Sequence, residues 1–409
     1  MFNGRINYRL PRNLLFVFEL LALMLIFLYY RHTLNRITVI YSLALILLVY
    51  ISNFLLLKIT SGDNFIFLIV TMLVSIGVIM IYRIDPELGI KQILWIGMGI
   101  MLFFMTYLVF KRIRGWENWF LLYALASIAL FILTLVLGTN IKGATNWIRI
   151  GSFGLQPSEI IKILAIFLIA SYYTNHEKFT RMKFGKYYLL GIIYVFVLFL
   201  FLQKDLGSVL IFLSVFIALQ FIYEEDRKLV LINLSILVVC AIAGYFLFSH
   251  VQSRVHTWLD PWKYIDTRGY QITQSLFAIA EGGFFGTGLG LGYPEFIPEV
   301  HTDFIFPAIC EEMGIFTGIG IIMLFLILVY RGFKIAINQK YKSYRIVALG
   351  ISILFGIQSF IIFGGVLNMI PLTGITIPFV SYGGSSMLSS FIALGILQVA
   401  SEELDLDEE

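Results

Sequence analysis

Charged residues, cysteines and histidines are all scarce in this sequence. Only 13% of its 409 residues are Asp, Glu, Lys or Arg, whereas about a quarter is usual in a soluble globular chain. The two cysteines, Cys240 and Cys310, exclude a disulfide framework and a cysteine-based metal cluster. The five histidines include no His-x-x-x-His pair, so they give no zinc pattern. No stretch has the composition of a sizeable soluble domain, and we predict no nucleic-acid partner.

Apolar residues are abundant instead, and they come in long runs. The chain is 59% hydrophobic, with a mean hydropathy of +0.90, and a helix needs about 20 predominantly apolar residues to cross a bilayer. The sequence therefore predicts an all-α, polytopic integral membrane protein with about twelve transmembrane helices. The predicted spans are residues 14–30, 38–58, 64–82, 93–110, 118–138, 158–173, 187–202, 206–223, 229–248, 305–330, 346–369 and 384–401.

Two neighbouring spans, 187–202 and 206–223, are short. Only Gln203, Lys204 and Asp205 separate them. This spacing predicts a tight helical hairpin, and a single broken or tilted element is the alternative.

Basic residues divide the gaps between spans into two sets. Clusters of Lys and Arg lie at residues 111–114, 178–186, 227–228 and 331–345. The positive-inside rule places these gaps, together with both termini, in the cytoplasm. The extracytoplasmic side then receives three unusual segments, which are residues 138–157, a long loop at about 249–304, and residues 370–385. Long loops are usually functional, and irregular backbone at membrane depth is tolerated only where it lines a cavity, so we expect an extracytoplasmic site.

Ionisable side chains that border spans are costly, and they are therefore candidates for function. Pro157 begins a predicted helix, with Glu159 in the first turn and Lys162 three residues further along the same face. Either these two form an ion pair within the helix, or they form a polar cavity wall with Lys162 facing phosphate. Asp205 is either the N-cap of the next span or a site residue, and the two roles are compatible.

Asp303 stands where the long loop meets an apolar helix. Its neighbours Phe304 and Phe306 solvate a carboxylate poorly, which makes it a better base. Glu311 and Glu312 lie two turns further along, and adjacent helical residues face different directions. One of them is expected to face the cavity, although neither is singled out as catalytic.

Alternate glycines from Gly286 to Gly292 look like a nucleotide-binding loop. That fingerprint requires a strand before it and a helix after it within a βαβ unit, and neither is expected here. We therefore predict a tight backbone turn or a re-entrant corner.

Several short motifs occur together in a specific order. They lie at residues 143–148, 156–162, 205–208, 270–275, 286–292, 298–306, 311–314 and 378–386. In this order and spacing, from about residue 64 to residue 401, the sequence resembles the RodA/FtsW/SpoVE family. The family usually has Arg where this chain has Asn146, and Pro is common where it has Lys204. Before Pro371, the family's Asn, Met and Gly are replaced by Ile362, Gly365 and Asn368.

The family core typically has ten spans, fewer than are predicted here. We therefore divide the chain into a two-span extension at residues 1–62, a membrane core at 63–401, and an acidic cytoplasmic tail at 402–409. The departures from the motifs indicate a divergent branch and leave elongation, division and sporulation open as cellular roles.

The resemblance implies a peptidoglycan glycosyltransferase that joins lipid II units by β-1,4 glycosyl transfer at the outer face of the cytoplasmic membrane. It also implies that Asp303 is the general base. The transfer needs positive charge at the departing pyrophosphate, for which Arg149, Lys162, Lys204 and Arg254 are candidates. Glu159 and Asp205 would orient those cations or bind Mg²⁺ or Mn²⁺, although no metal or cofactor pattern is evident. The predicted substrate-binding set is completed by Glu311, Ser381 and Ser385.

The resemblance further implies a class B penicillin-binding protein, a transpeptidase, as partner, with membrane lipids around the helices. Two alternatives remain at this point. A lipid II flippase or other transporter would have buried charges near the midplane and often internal repeats, and no repeat is visible here. A scaffold that only recruits a transpeptidase is the other.

Overall fold

The computed structural model describes residues 8–29, 36–141, 144–151 and 153–402. Gly143 of the first motif and residues 403–409 of the acidic tail lie outside the described residues. The helices are α1 Arg9–Tyr29, α2 Arg36–Ile59, α3 Asn64–Ile84, α4 Pro86–Phe110, α5 Phe120–Leu137, α6 Pro157–Thr174, α7 His176–Thr180, α8 Gly185–Leu202, α9 Leu206–Tyr223, α10 Arg227–Leu247, α11 Ser249–Leu259, α12 Tyr270–Gly282, α13 Ile305–Asn338, α14 Lys342–Val366 and α15 Gly384–Ala400.

Each of the predicted spans corresponds to one of these helices. Within the described residues, nine helices are long and apolar enough to cross a membrane, while α8 and α15 contain shorter apolar helices. The helix α1 adds a further apolar segment of 21 residues. The predicted all-α, polytopic membrane fold is confirmed.

Aspartate side chains begin several of the spans. Asp63, Asp85, Asp205 and Asp226 each accept a hydrogen bond from a backbone N–H in the first turn of the following helix. Such caps satisfy donors that have no partner within the helix. The helices α8 and α9 are separate, joined by the turn at residues 203–205 and packed against each other, so the predicted hairpin is confirmed over the alternative of a single broken or tilted element.

Close helix packing surrounds the middle of the molecule. The helix α15 lies along α4, and Gly99 of α4 faces the ring of Phe391. Gly395 of α15 in turn approaches the backbone of Phe103. Small residues at such interfaces allow helices to approach closely in lipid. This packing fixes the start of α15 next to the irregular segment between α14 and α15.

The helices α1 and α2 dock on α3 through buried polar side chains. The hydroxyl of Tyr8 donates to Asn53 Oδ1 at 2.6 Å, and Asn53 Nδ2 donates to Thr71 Oγ1 at 3.2 Å. Glu19 of α1 is hydrogen-bonded to Ser75 of α3. Buried polar contacts of this kind specify helix pairing in an apolar medium.

A small antiparallel sheet lies between α5 and α6, and the sequence analysis did not predict it. Its strands are β1 Thr139–Ile141, β2 Ala144–Ile150 and β3 Phe153–Leu155, in the order β1-β2-β3. The backbone N–H of Thr145 donates to Gln203 O at 3.2 Å, which ties the sheet to the turn between α8 and α9.

Candidate active site

A cleft of about 1180 Å³ opens on the side of the bundle that carries the sheet and the loop from α10 to α13. The irregular segment between α14 and α15 forms part of its wall, as predicted. The cleft brings together most of the predicted site residues, which are Arg149, Glu159, Lys162, Asp205, Arg254, Asp303 and Ser385.

The side chains of Asp303 and Arg254 both approach the backbone of Gly374. Arg254 Nη1 donates to Thr373 O at 2.7 Å. Gly374 has a φ of 72°, and a Cβ there would lie 3.0 Å from Arg254 Nη2 and 3.4 Å from Asp303 Oδ2. The surrounding protein atoms lower the pKa of Arg254, and the negative charges of Asp303 and Asp205 oppose this effect. The cleft therefore has an acid and a cation within reach of one bound group.

Both carboxylate oxygens of Asp205, at the start of α9, accept hydrogen bonds. Its Oδ1 accepts from Ser208 N at 3.1 Å, and its Oδ2 accepts from Asn146 Nδ2 at 3.0 Å and from Gln156 Nε2 at 3.2 Å. The N-cap interpretation is confirmed, and the same side chain also lines the cleft. Asp205 thus fixes β2 and the start of α6 relative to α9.

Glu159 and Lys162 form a buried ion pair. Lys162 Nζ lies 2.8 Å from Glu159 Oε1, and Ser389 Oγ donates to Glu159 Oε2 at 3.0 Å. Both members also line the cleft, so the ion pair is confirmed and forms part of the cleft wall, while contact of Lys162 with phosphate stays a prediction. The pair connects α6 to α15 at the base of the site.

Two further predicted residues, Arg149 and Ser385, also line the cleft. Arg149 lies exposed on β2. Ser385 is buried in the first turn of α15, and its Oγ has no hydrogen-bond partner among the described residues. Both groups are thus placed to contact a ligand in the cleft.

Three predicted substrate-binding residues are not among the cleft-lining residues. Lys204 occupies the turn between α8 and α9 with a φ of 59°, near His250. Glu311 accepts from Tyr293 N at 2.8 Å through Oε1. Ser381 Oγ donates to Thr302 O at 2.6 Å and accepts from Ile377 N. Backbone contacts therefore hold Glu311 and Ser381, and substrate binding by these residues stays a prediction.

The glycine-rich segment forms a tight turn against α13. Gly286, Gly288 and Gly290 all have positive φ. Glu312 supports this turn, because its Oε2 accepts from Gly290 N at 2.8 Å and its Oε1 lies 3.0 Å from Arg83 Nη2. The predicted turn is confirmed.

Other cleft residues were missed in the sequence analysis. Lys91 and Trp95 line the cleft from α4, and Arg268 lines it from the loop before α12. Both Lys91 and Arg268 are charged residues in segments that the positive-inside rule predicts to be extracytoplasmic, but they lie outside any recognisable motif. Among the described residues, no group of three or more His, Cys, Asp or Glu side chains is arranged to hold a metal ion.

Known proteins with a similar sequence or fold agree with this architecture. The family model described as "Cell cycle protein" (FtsW, RodA, SpoVE) matches residues 63–405. The peptidoglycan glycosyltransferase RodA of Mycobacterium tuberculosis H37Rv is 35% identical over 356 residues, covering 80% of this chain and 76% of that protein. The stage V sporulation protein E of Bacillus subtilis 168 is 33% identical, covering 83% of this chain and 97% of that protein.

Solved structures lead to the same group. The chain resembles a component of a peptidoglycan synthase complex with a TM-score of 0.70 and 25% identity, covering 83% of this chain and 97% of that one. It resembles a variant of the Thermus thermophilus rod shape determining protein RodA with a TM-score of 0.62 and 25% identity, with the same coverage. The resemblance predicted from the motifs is confirmed, and the chain belongs to the FtsW/RodA/SpoVE family.

Proposed function

We propose that this protein polymerises lipid II by β-1,4 glycosyl transfer at the outer face of the cytoplasmic membrane, with Asp303 as general base. Peptidoglycan glycosyltransferase activity follows from its family, since its RodA relatives carry that name. The role of Asp303 rests on one observation: the side chains of Asp303 and Arg254 both approach Gly374 in a large cleft.

Asp303 can supply the proton acceptor that the reaction needs. The 4-hydroxyl oxygen of one GlcNAc attacks C1 of the MurNAc on a second lipid II molecule. Its proton passes to the Asp303 carboxylate as the new C–O bond forms. The bond from C1 to the pyrophosphate oxygen breaks at the same time, and undecaprenyl pyrophosphate leaves with the bonding electrons.

Cations in the cleft can stabilise the departing pyrophosphate. Arg254 and Arg149 can contact phosphate oxygens in a bidentate manner, and the Lys162 ammonium is a point charge at the base of the cleft. Fixed charges aimed at developing negative charge lower the barrier. Binding of Mg²⁺ or Mn²⁺ at Glu159 or Asp205 stays a prediction.

The distribution of basic residues supports the proposal that the cleft opens at the outer face of the membrane. The side opposite the cleft carries Arg112, Arg114, Lys178 and Lys334, in the connections and helix ends between spans. Such clusters mark the cytoplasmic side. Both described ends of the bundle, Tyr8 and Glu402, then lie on that side. Lipid II would reach the cleft from the outer leaflet.

A class B penicillin-binding protein is the proposed partner. The similar solved structure belongs to a complex described as coordinating polymerisation and crosslinking. A transpeptidase beside this chain would crosslink the new strand as it leaves the cleft. The cellular role (elongation, division or sporulation) would follow from the identity of that partner.

The two alternatives can be separated with purified protein in proteoliposomes that contain lipid II. We expect glycan polymer on a gel, and we expect it also when a cognate transpeptidase is present and inhibited by a β-lactam. Transbilayer movement of lipid II without polymer would instead identify a flippase. Neither polymer nor movement, with transpeptidase binding retained, would identify a scaffold.

A further inference from the structure

We propose that Ser381 is a positioning residue that acts through Asp303, an inference that rests on the proposed role of Asp303 as base. The segment before Asp303 has neither helical nor strand structure. A hydrogen bond from Thr302 N to Glu299 O at 3.1 Å closes a local turn there, and contacts from another part of the chain add to it.

The segment between α14 and α15 supplies these contacts through two consecutive residues. Tyr382 N donates to His301 O at 2.8 Å, and Ser381 Oγ donates to Thr302 O at 2.6 Å. The carbonyl of Thr302 belongs to the planar peptide group that contains the Asp303 backbone nitrogen. The Ser381 hydroxyl thus holds the peptide group that leads directly into Asp303.

Each polar atom of Ser381 takes part in a hydrogen bond within the protein. Its Oγ accepts from Ile377 N at 2.9 Å, its N–H donates to Ile377 O at 3.1 Å, and its carbonyl accepts from Gln92 Nε2 at 3.1 Å. The residue is 3% exposed and is not among the cleft-lining residues. Its hydroxyl is therefore fully used inside the protein.

The other side of Asp303 is fixed by packing. Phe304 is fully buried, and the helix α13 begins directly after it. Asp303 thus lies between a buried ring and a peptide group held by Ser381. Loss of the Ser381 hydroxyl would free that peptide group to rotate and shift the carboxylate, and a misplacement of about 1 Å can cost about 100-fold in rate.

The test compares Ser381→Ala, Ser381→Thr and Asp303→Asn by initial rates of lipid II polymerisation over a range of lipid II concentrations. We expect Ser381→Ala to lower kcat by about 10- to 100-fold with little change in KM. Ser381→Thr keeps the hydroxyl and should recover most of kcat. The matched control is Ser359→Ala, because Ser359 is buried and its Oγ donates to Phe355 O within its own helix.

Several outcomes would overturn the inference. A raised KM with unchanged kcat would make Ser381 a substrate-binding residue, and an unchanged kcat and KM would leave it without a role in positioning. If Ser381→Ala does not fold, Ser381→Cys takes its place, since a thiol has a similar shape but is a weak donor; full kcat in Ser381→Cys would also overturn the inference. Full activity of Asp303→Asn would instead contradict the proposed function itself.

Discussion

At the scale of single residues, the ion pair of Glu159 and Lys162 combines a structural and a chemical role. The two residues are 7% and 4% exposed, and Ser389 adds a third polar group. Removing one partner of a buried pair leaves an uncompensated charge, which costs about 3–5 kcal/mol. The stability effect of a single substitution therefore obscures any effect on phosphate binding.

A double variant separates these two roles. We expect Lys162→Ala to lower the free energy of unfolding by about 3–5 kcal/mol and to reduce turnover. Glu159→Gln combined with Lys162→Met removes both charges, so it should recover most of the stability in a thermal unfolding measurement. Turnover of lipid II should stay low, because the cation in the cleft is still missing. Turnover at the level of the original protein would mean that the pair is only structural.

The sequence revealed several of the charged residues at the site and their local contacts, but not their contacts with distant parts of the chain. Asp303, Asp205 and Lys162 could be selected because ionisable groups at span borders are costly. The contacts of Ser381 and Glu311 depend on chain segments that are far apart in sequence. No local pattern indicates such contacts, so the sequence did not predict them.

At the scale of elements, the helix α13 is interrupted, and a loop from earlier in the chain packs at the interruption. Its path is interrupted at Gly314, which has φ 83° and ψ 164°. The glycine-rich turn fills the interruption, with Thr287 N donating to Glu311 O and Ile315 N donating to Gly283 O, both at 2.9 Å. This backbone conformation is available only to glycine at low cost.

Alanine substitutions at two glycines of α13 should therefore have opposite effects on stability. A Cβ at Gly314 would lie 2.3 Å from Phe284 O, whereas at Gly320 nothing lies within 4 Å. We expect Gly314→Ala to lower the free energy of unfolding by at least about 1–3 kcal/mol from backbone strain alone. Gly320→Ala should leave it unchanged or raise it by about 0.5–1 kcal/mol, because alanine favours a helix. Equal thermal midpoints for the two variants would contradict this account of the interruption.

The elements differed in how well the sequence predicted them. The long apolar runs predicted a helix at each span, because their length and hydropathy indicate which segments can cross a bilayer. The sheet between α5 and α6 was missed because its strands are short and lie in a segment that was interpreted only as a loop. Its position depends on contacts with Asp205 and Gln203, which no local pattern reveals.

At the scale of the whole molecule, α1 and α2 form the pair of helices that the sequence predicts to be added to the family core. The family match begins at residue 63, so α1 and α2 lie outside it. They nevertheless pack on α3 through Glu19 and Tyr8. The backbone of Val380, next to Ser381, packs against Gly77 of the same helix α3. The added pair thus supports the helix on which the cleft segment rests.

The proposed reaction depends on a carboxylate at position 303 that accepts the proton of the attacking hydroxyl of lipid II in the cleft. Its most direct test is the polymerisation rate of Asp303→Asn, which keeps the size of the side chain but removes the base. The matched control is Asp266→Asn, an exposed aspartate in the same long loop that does not line the cleft.

The measurement follows glycan polymer formed from lipid II by each purified variant, after thermal unfolding has confirmed that both are folded. The account predicts that Asp303→Asn loses at least about 100-fold in turnover, in line with the contribution of a general base. It predicts that Asp266→Asn polymerises at the rate of the original protein. Normal polymerisation by Asp303→Asn would contradict the account.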